Sequence, residues 1–152
     1  MDARDPELDR TIDDGRALLG RDPAAAHALF ALAARKSLND PRAMSHFGLT
    51  LVLVEGDRQR GVRYCEEAVR RGRPSQELLL NLARALIFMR QKGHAMRALR
   101  RAEELSPGDP GVLQELIQIG LRRRPPIPLL PRDFFLNRWV GWLTWRFSQG
   151  RR

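Results

Sequence analysis

The sequence predicts an all-α chain built from repeated helical hairpins, and three observations predict it. Leu, Ala, Arg and Glu are abundant and β-branched residues are sparse, a mixture that favours helix over strand. Three columns of residues recur together. Ala26, Gly61 and Ala95 form one, Phe30, Cys65 and Leu99 the next, and Ala33, Ala68 and Ala102 the third, and all three keep nearly the same interval from unit to unit. Clusters of Gly, Pro and Asp fall between the periodic stretches, where turns belong.

In chain order, the first unit predicts helices over 7–19 and 23–37. Gly15 and Leu18 lie on its first helix, and Ala26, Phe30 and Ala33 on its second. Asn39-Asp40-Pro41 separates it from the second unit, with helices over 41–54 and 58–71 around the turn Glu55-Gly56-Asp57. Phe47, Gly48 and Leu51 mark the first of these helices, and Gly61, Cys65 and Ala68 the second. The third unit predicts helices over 76–90 and 93–105, broken at Arg90-Gln91-Lys92-Gly93. Leu82, Ala83 and Leu86 face Ala95, Leu99 and Ala102. The small residues are the physical signature, because two antiparallel helices approach closely only where one presents a small side chain to the other. One hairpin cannot bury its own apolar face, so hairpins must stack. After Ser106-Pro107-Gly108-Asp109-Pro110 a seventh helix is predicted over 111–123, with Val112, Leu113, Leu116, Ile117, Ile119 and Leu121 apolar. Ile117 takes the slot that earlier units fill with Gly or Ala, so this helix is read as a solvating cover on the last hairpin.

The clearest unit runs from Gln76 to Asp109. Its length, about 34 residues, and its order of bulky, small, bulky, then small, large, small and Pro107 resemble the tetratricopeptide (TPR) pattern. The resemblance spans residues 7–123. It departs from the family in the short first unit and in lacking Trp on the first helices. It implies a right-handed solenoid of three hairpins plus a capping helix, and a non-catalytic scaffold that binds another protein.

The resemblance also implies that first helices line a concave groove for a peptide or helix. The matching positions are His46, Leu49 and Leu53 in the second unit. In the third they are Leu80, Asn81, Arg84, Ile87 and Phe88, and in the seventh helix Gln114, Gln118 and Leu121. Some family members clamp a partner's terminal carboxylate with Lys and Asn. Only Asn81, with Arg84 a turn later, matches here, so that activity is not carried over.

Beyond the repeats lies a Pro-rich linker, 124–132, whose Pro125, Pro126, Pro128 and Pro131 forbid a helix. Residues 133–152 form a basic amphipathic tail, in which Asp133 is read as an N-cap and a helix is predicted over 134–148. Phe134, Phe135, Trp139, Trp142 and Trp145 supply its apolar side and Arg138 part of its polar one. Residues 120–152 hold 8 Arg against Asp133. Three surfaces suit such a segment: the repeats themselves, an anionic membrane, or another protein chain.

The net charge of +9 is uneven. Residues 1–60 carry 9 basic and 10 acidic side chains, so the excess lies downstream. Arg70, Arg71 and Arg73, then Arg97, Arg100 and Arg101, form clusters on successive second helices. They make nucleic acid an alternative partner, without any base-reading motif. Cys65 is the one cysteine and sits in a core column, so it reads as a small hydrophobe rather than a nucleophile. His27, His46 and His94 lack metal-ligand spacing, no phosphate loop or nucleophile elbow is present, and the adjacent carboxylates Glu66-Glu67 and Glu103-Glu104 read as solvated rather than catalytic. The expectation is a chain without enzymatic activity, metal or cofactor. The acidic N-terminal stretch has no signal-type apolar run, and no apolar run long enough to span a membrane occurs. Cytoplasmic placement follows as an expectation, with peripheral attachment to the inner face of the membrane as its variant.

Overall fold

Four helices open on the same dipeptide. Asp5-Pro6, Asp22-Pro23, Asp40-Pro41 and Asp109-Pro110 each set a carboxylate at the N-cap and a proline in the first turn, where its missing N–H costs nothing. The carboxylates accept backbone N–H bonds from Glu7 (2.9 Å), Ala25 (3.0 Å), Arg42 (2.8 Å) and Val112 (3.0 Å) respectively. Asp57 and Ser75 cap two more helices through the N–H groups of Arg60 and Leu78.

The computed structural model describes residues 5–37 and 39–119. Among them are seven α-helices and no strand: α1 (Pro6–Leu19), α2 (Pro23–Lys36), α3 (Pro41–Thr50), α4 (Arg58–Arg71), α5 (Gln76–Phe88), α6 (Lys92–Leu105) and α7 (Pro110–Ile119). α1 pairs with α2, α3 with α4 and α5 with α6. Successive hairpins join through α2–α3 and α4–α5, and the first helices adjoin through α3–α5 and α5–α7. This is the all-α, tetratricopeptide-like array of helical hairpins that the repeat columns predict. α5 stops two positions short of its predicted end, because Arg90 takes a left-handed backbone (φ 59°) to make the turn. The linker 124–132 and the segment 133–152, with Phe134, Phe135, Arg138, Trp139, Trp142 and Trp145, lie outside the described residues.

α3 does not end at Thr50 but runs on as a π-helical turn, Leu51–Glu55, closed by Gly56 at φ 72°. The chain register explains it. Gly61 follows Gly48 by one position more than Ala95 follows Ala83. The second hairpin thus has an extra residue between its facing small side chains, and a π turn takes up that residue without breaking the helix.

The repeat columns are the core. Ala26, Phe30, Ala33, Cys65, Ala68, Ala95, Leu99 and Ala102 are all completely buried. The clusters cross hairpin boundaries. Val52, Val62 and Cys65 pack with Ala85, Leu86 and Ala95, and Leu79, Ala83, Leu99 and Ala102 with Val112 and Leu116. Each hairpin is thereby stabilised by its neighbour, as a stacked array requires. α3 and α4 meet at Gly48 and Gly61. A methyl group on Gly48 would lie 2.6 Å from the Gly61 carbonyl oxygen.

α7 covers the last hairpin. Val112 and Leu116 face inward, but Leu113 and Ile117 are exposed. Gln114 and Gln118 are exposed beside them, so the outer side of α7 is mixed, apolar and polar.

Candidate partner-binding groove

A groove of about 500 Å³ runs across the face made by the first helices. Arg16 and Leu19 of α1, Leu49 of α3, Leu53 of the π turn, Arg84, Ile87 and Phe88 of α5, and Glu115 and Gln118 of α7 line it. Every first helix therefore contributes, as the resemblance implies. Leu49 forms part of its floor and is almost wholly buried, whereas Leu53 (38% exposed) and Phe88 (44% exposed) stand open to solvent. Leu19 and Ile87 add apolar surface, and the charged groups are paired: Arg84 Nε donates to Glu115 Oε1 at 2.7 Å, and Arg16 pairs with Glu77 at 3.2 Å. The result is two apolar anchors beside fixed charges and a carboxamide at Gln118. Such a lining offers apolar and charged contacts side by side.

The predicted groove residues divide. Leu49, Arg84, Phe88 and Gln118 line it. Gln114 is exposed on α7 but outside this lining. His46 and Asn81 need correcting, because neither offers its side chain to the groove: they are 4% and 2% exposed. They belong to a buried polar chain. The Asn81 amide donates to Ser45 Oγ (3.2 Å) and to His46 Nδ1 (3.3 Å), and His46 Nε2–H donates to Glu77 Oε1 (2.8 Å). Because Nδ1 accepts, the ring proton sits on Nε2. Phe30 stacks on the imidazole at 4.6 Å. The hydrogen bond from His46, against the opposing effect of burial, holds the Glu77 carboxyl below its ordinary range, with Arg16 and Arg42 assisting. The chain ties α1, α2, α3 and α5 together beneath the groove, since buried polar groups must be paired. First-helix position alone does not distinguish a groove-facing side chain from one turned toward the next hairpin. The carboxylate of Glu77, in the first turn of α5 and remote from His46 along the chain, was the missing partner.

Sequence reasoning also passed over Arg16 and Glu115. Their signal was weak: each is a charged residue on a first helix, one among many. Cys65 is buried as expected, and burial, with a smaller contribution from Glu66, pushes its thiol up to about 12. Glu67 pairs with Arg70 and Arg71, so part of the α4 basic cluster is answered within its own helix. Among the described residues no cluster of three or more His, Cys, Asp or Glu side chains is placed to hold a metal, and no helix is long and apolar enough to cross a membrane.

No protein-family model matches the sequence, and no curated protein matches it. Among solved structures the chain is similar to the one titled "MamA RS-1 ArsTM double mutant", with 18% identity and a TM-score of 0.47 over 99% of this chain and 100% of that one.

Proposed function

We propose that this chain is a non-catalytic adaptor that holds a peptide or helix of another protein in the groove formed by α1, α3, α5 and α7. One observation carries it: all four first helices supply the groove, and its apolar anchors, Phe88 and Leu53, stand partly open to solvent there. Aromatic anchors in a concave, mostly apolar setting supply much of the binding energy of such contacts. The Arg84–Glu115 pair and Gln118 orient the ligand's polar groups. Panning a random peptide library on the full chain tests the proposal. Selected peptides should lose about tenfold or more in affinity to Phe88→Ala. Peptides that bind Phe88→Ala as well as the parent chain would contradict it.

A second mode rests on composition downstream of the array. Phe134, Phe135, Trp139, Trp142 and Trp145, with Arg138 and seven further arginines in 120–152, suit an anionic membrane surface. The adaptor would then work from the membrane's inner face. Replacing the three tryptophans by alanine in the full chain should abolish flotation with phosphatidylserine vesicles. Unchanged flotation would remove the membrane from the account.

A further inference from the structure

The opposite face of the array carries a second groove, between α2 and α4. It consists of two adjoining depressions of about 430 and 620 Å³ that share Met44, Arg60 and Tyr64. Its floor is apolar: Ala31 and Ala34 of α2, Met44 of α3, and Leu51 of the π turn. Its walls are basic, with Arg35 on α2 and Arg60, Arg63 and Arg71 on α4, against Glu55 and Glu67.

Both glutamates are already engaged. His27 Nε2 lies 2.9 Å from Glu55, with His27 Nδ1 2.9 Å from Thr50 Oγ1, and Glu67 is paired with Arg70 and Arg71. Arg60 has a long contact, 3.4 Å, to Asp57. Arg35 and Arg63 pair with no acid among the described residues, and both are exposed. The groove thus presents cations without partners on either side of an apolar trough.

We infer that this second groove is a docking site for an acidic amphipathic segment of another protein, apolar side chains on the floor and carboxylates toward Arg35 and Arg63. Charge complementarity selects the occupant. Ala31, Ala34, Met44 and Leu51 take Leu or Met side chains, and the rings that also line the groove, His27, Phe47 and Tyr64, already pack on one another. The chain's own residues 120–152, with 8 Arg against one acid, have the same sign as the groove and do not complement it. The site is independent of the first-helix groove, sharing none of its lining residues. One chain could therefore join two partners at once.

A labelled peptide of about 16 residues, Glu and Leu in helical order, is the probe, read by fluorescence anisotropy on the full chain at low salt. Binding should weaken about tenfold in Arg35→Glu/Arg63→Glu, and by less than about twofold in Arg100→Glu/Arg101→Glu, the same charge change on α6. Phe88→Ala should leave it unchanged, which separates failure of this site from failure of the first-helix groove. Melting curves establish that the variants fold, and Arg35→Gln/Arg63→Gln replaces the reversal if it does not. Absence of binding to the parent chain, or equal loss in both arginine pairs, would overturn the proposal. Tighter binding of an oligouridylate with the same dependence on Arg35 and Arg63 would make the groove a nucleic-acid surface instead. Self-association abolished by the Arg35/Arg63 change would give it to a second copy of the chain.

Discussion

Replacing Gly48 by alanine should destabilise the array by about 2 kcal/mol, net of opposing effects. The new methyl carbon would lie 2.6 Å from the Gly61 carbonyl oxygen, 2.8 Å from Tyr64 Cβ and 2.9 Å from Cys65 Sγ. The first two are backbone or backbone-anchored atoms, and the third is a completely buried side chain, so none can swing aside. α3 and α4 must separate, and overpacking of that kind costs up to about 3 kcal/mol. Alanine returns about 1 kcal/mol, because it is the better helix former. Gly93, in the first turn of α6, supplies the control: nothing lies within 4 Å of a methyl there. Gly93→Ala should therefore be neutral or stabilising, by up to about 0.5 kcal/mol. Thermal unfolding followed by circular dichroism reads both. The midpoint of Gly48→Ala should fall by roughly 8 °C, at about 4 °C per kcal/mol for a domain of this size. A Gly48→Ala chain as stable as the parent would refute the close α3–α4 contact from which the hairpin packing is argued.

Further outcomes follow from the same geometry. Asn81→Ala should cost about 1–3 kcal/mol, because Ser45 and His46 would keep buried polar atoms without a partner; urea titration measures it. Glu77 has a folded-state pKa below its unfolded value, so its stabilising contribution is present above the unfolded value, near 4.5, and is lost as pH falls through the folded one. Glu77→Gln should consequently flatten the decline of stability below that pH, whereas an unchanged acid profile would contradict the buried His46 bond. Cys65, fully buried and with its thiol pushed up to about 12, should react with a thiol reagent at pH 8 only at the rate at which the hairpins open. Phe88→Ala, at an exposed site, should change stability by less than about 0.5 kcal/mol.

Much of the fold was legible because packing imposes it at fixed spacing. Ala26, Gly61 and Ala95 stand buried on second helices, and at Gly61 even a methyl group would lie 2.5 Å from the Gly48 carbonyl oxygen. Asp40-Pro41 and Asp109-Pro110 were readable as breaks between units, and their capping is a local matter between a side chain and the next two or three N–H groups. The π turn after Thr50 was less so. Its signal, the extra position between Gly48 and Gly61 relative to Ala83 and Ala95, was present in the sequence. Spacing says only that a residue must be absorbed, not where. The groove was legible by element and only partly by residue. Phe88 and Leu49 came from their register in the repeat. His46 and Asn81 shared that register but turned toward Glu77 and Ser45, because a polar side chain between two hairpins is driven to its nearest partner once water is excluded. The α2–α4 groove joins Arg35 of one hairpin to Arg63 of the next, and no periodicity along the chain announces that pairing.

Whether a partner protein lies along the first helices is tested most directly by site-specific photo-crosslinking in the native cell. A photoreactive phenylalanine analogue placed at Leu53, Phe88 or Gln118 should crosslink one and the same protein, and the analogue at Arg97 or Arg101 on α6 should not. Crosslinks to that protein from α6 and none from Leu53, Phe88 or Gln118 would contradict it.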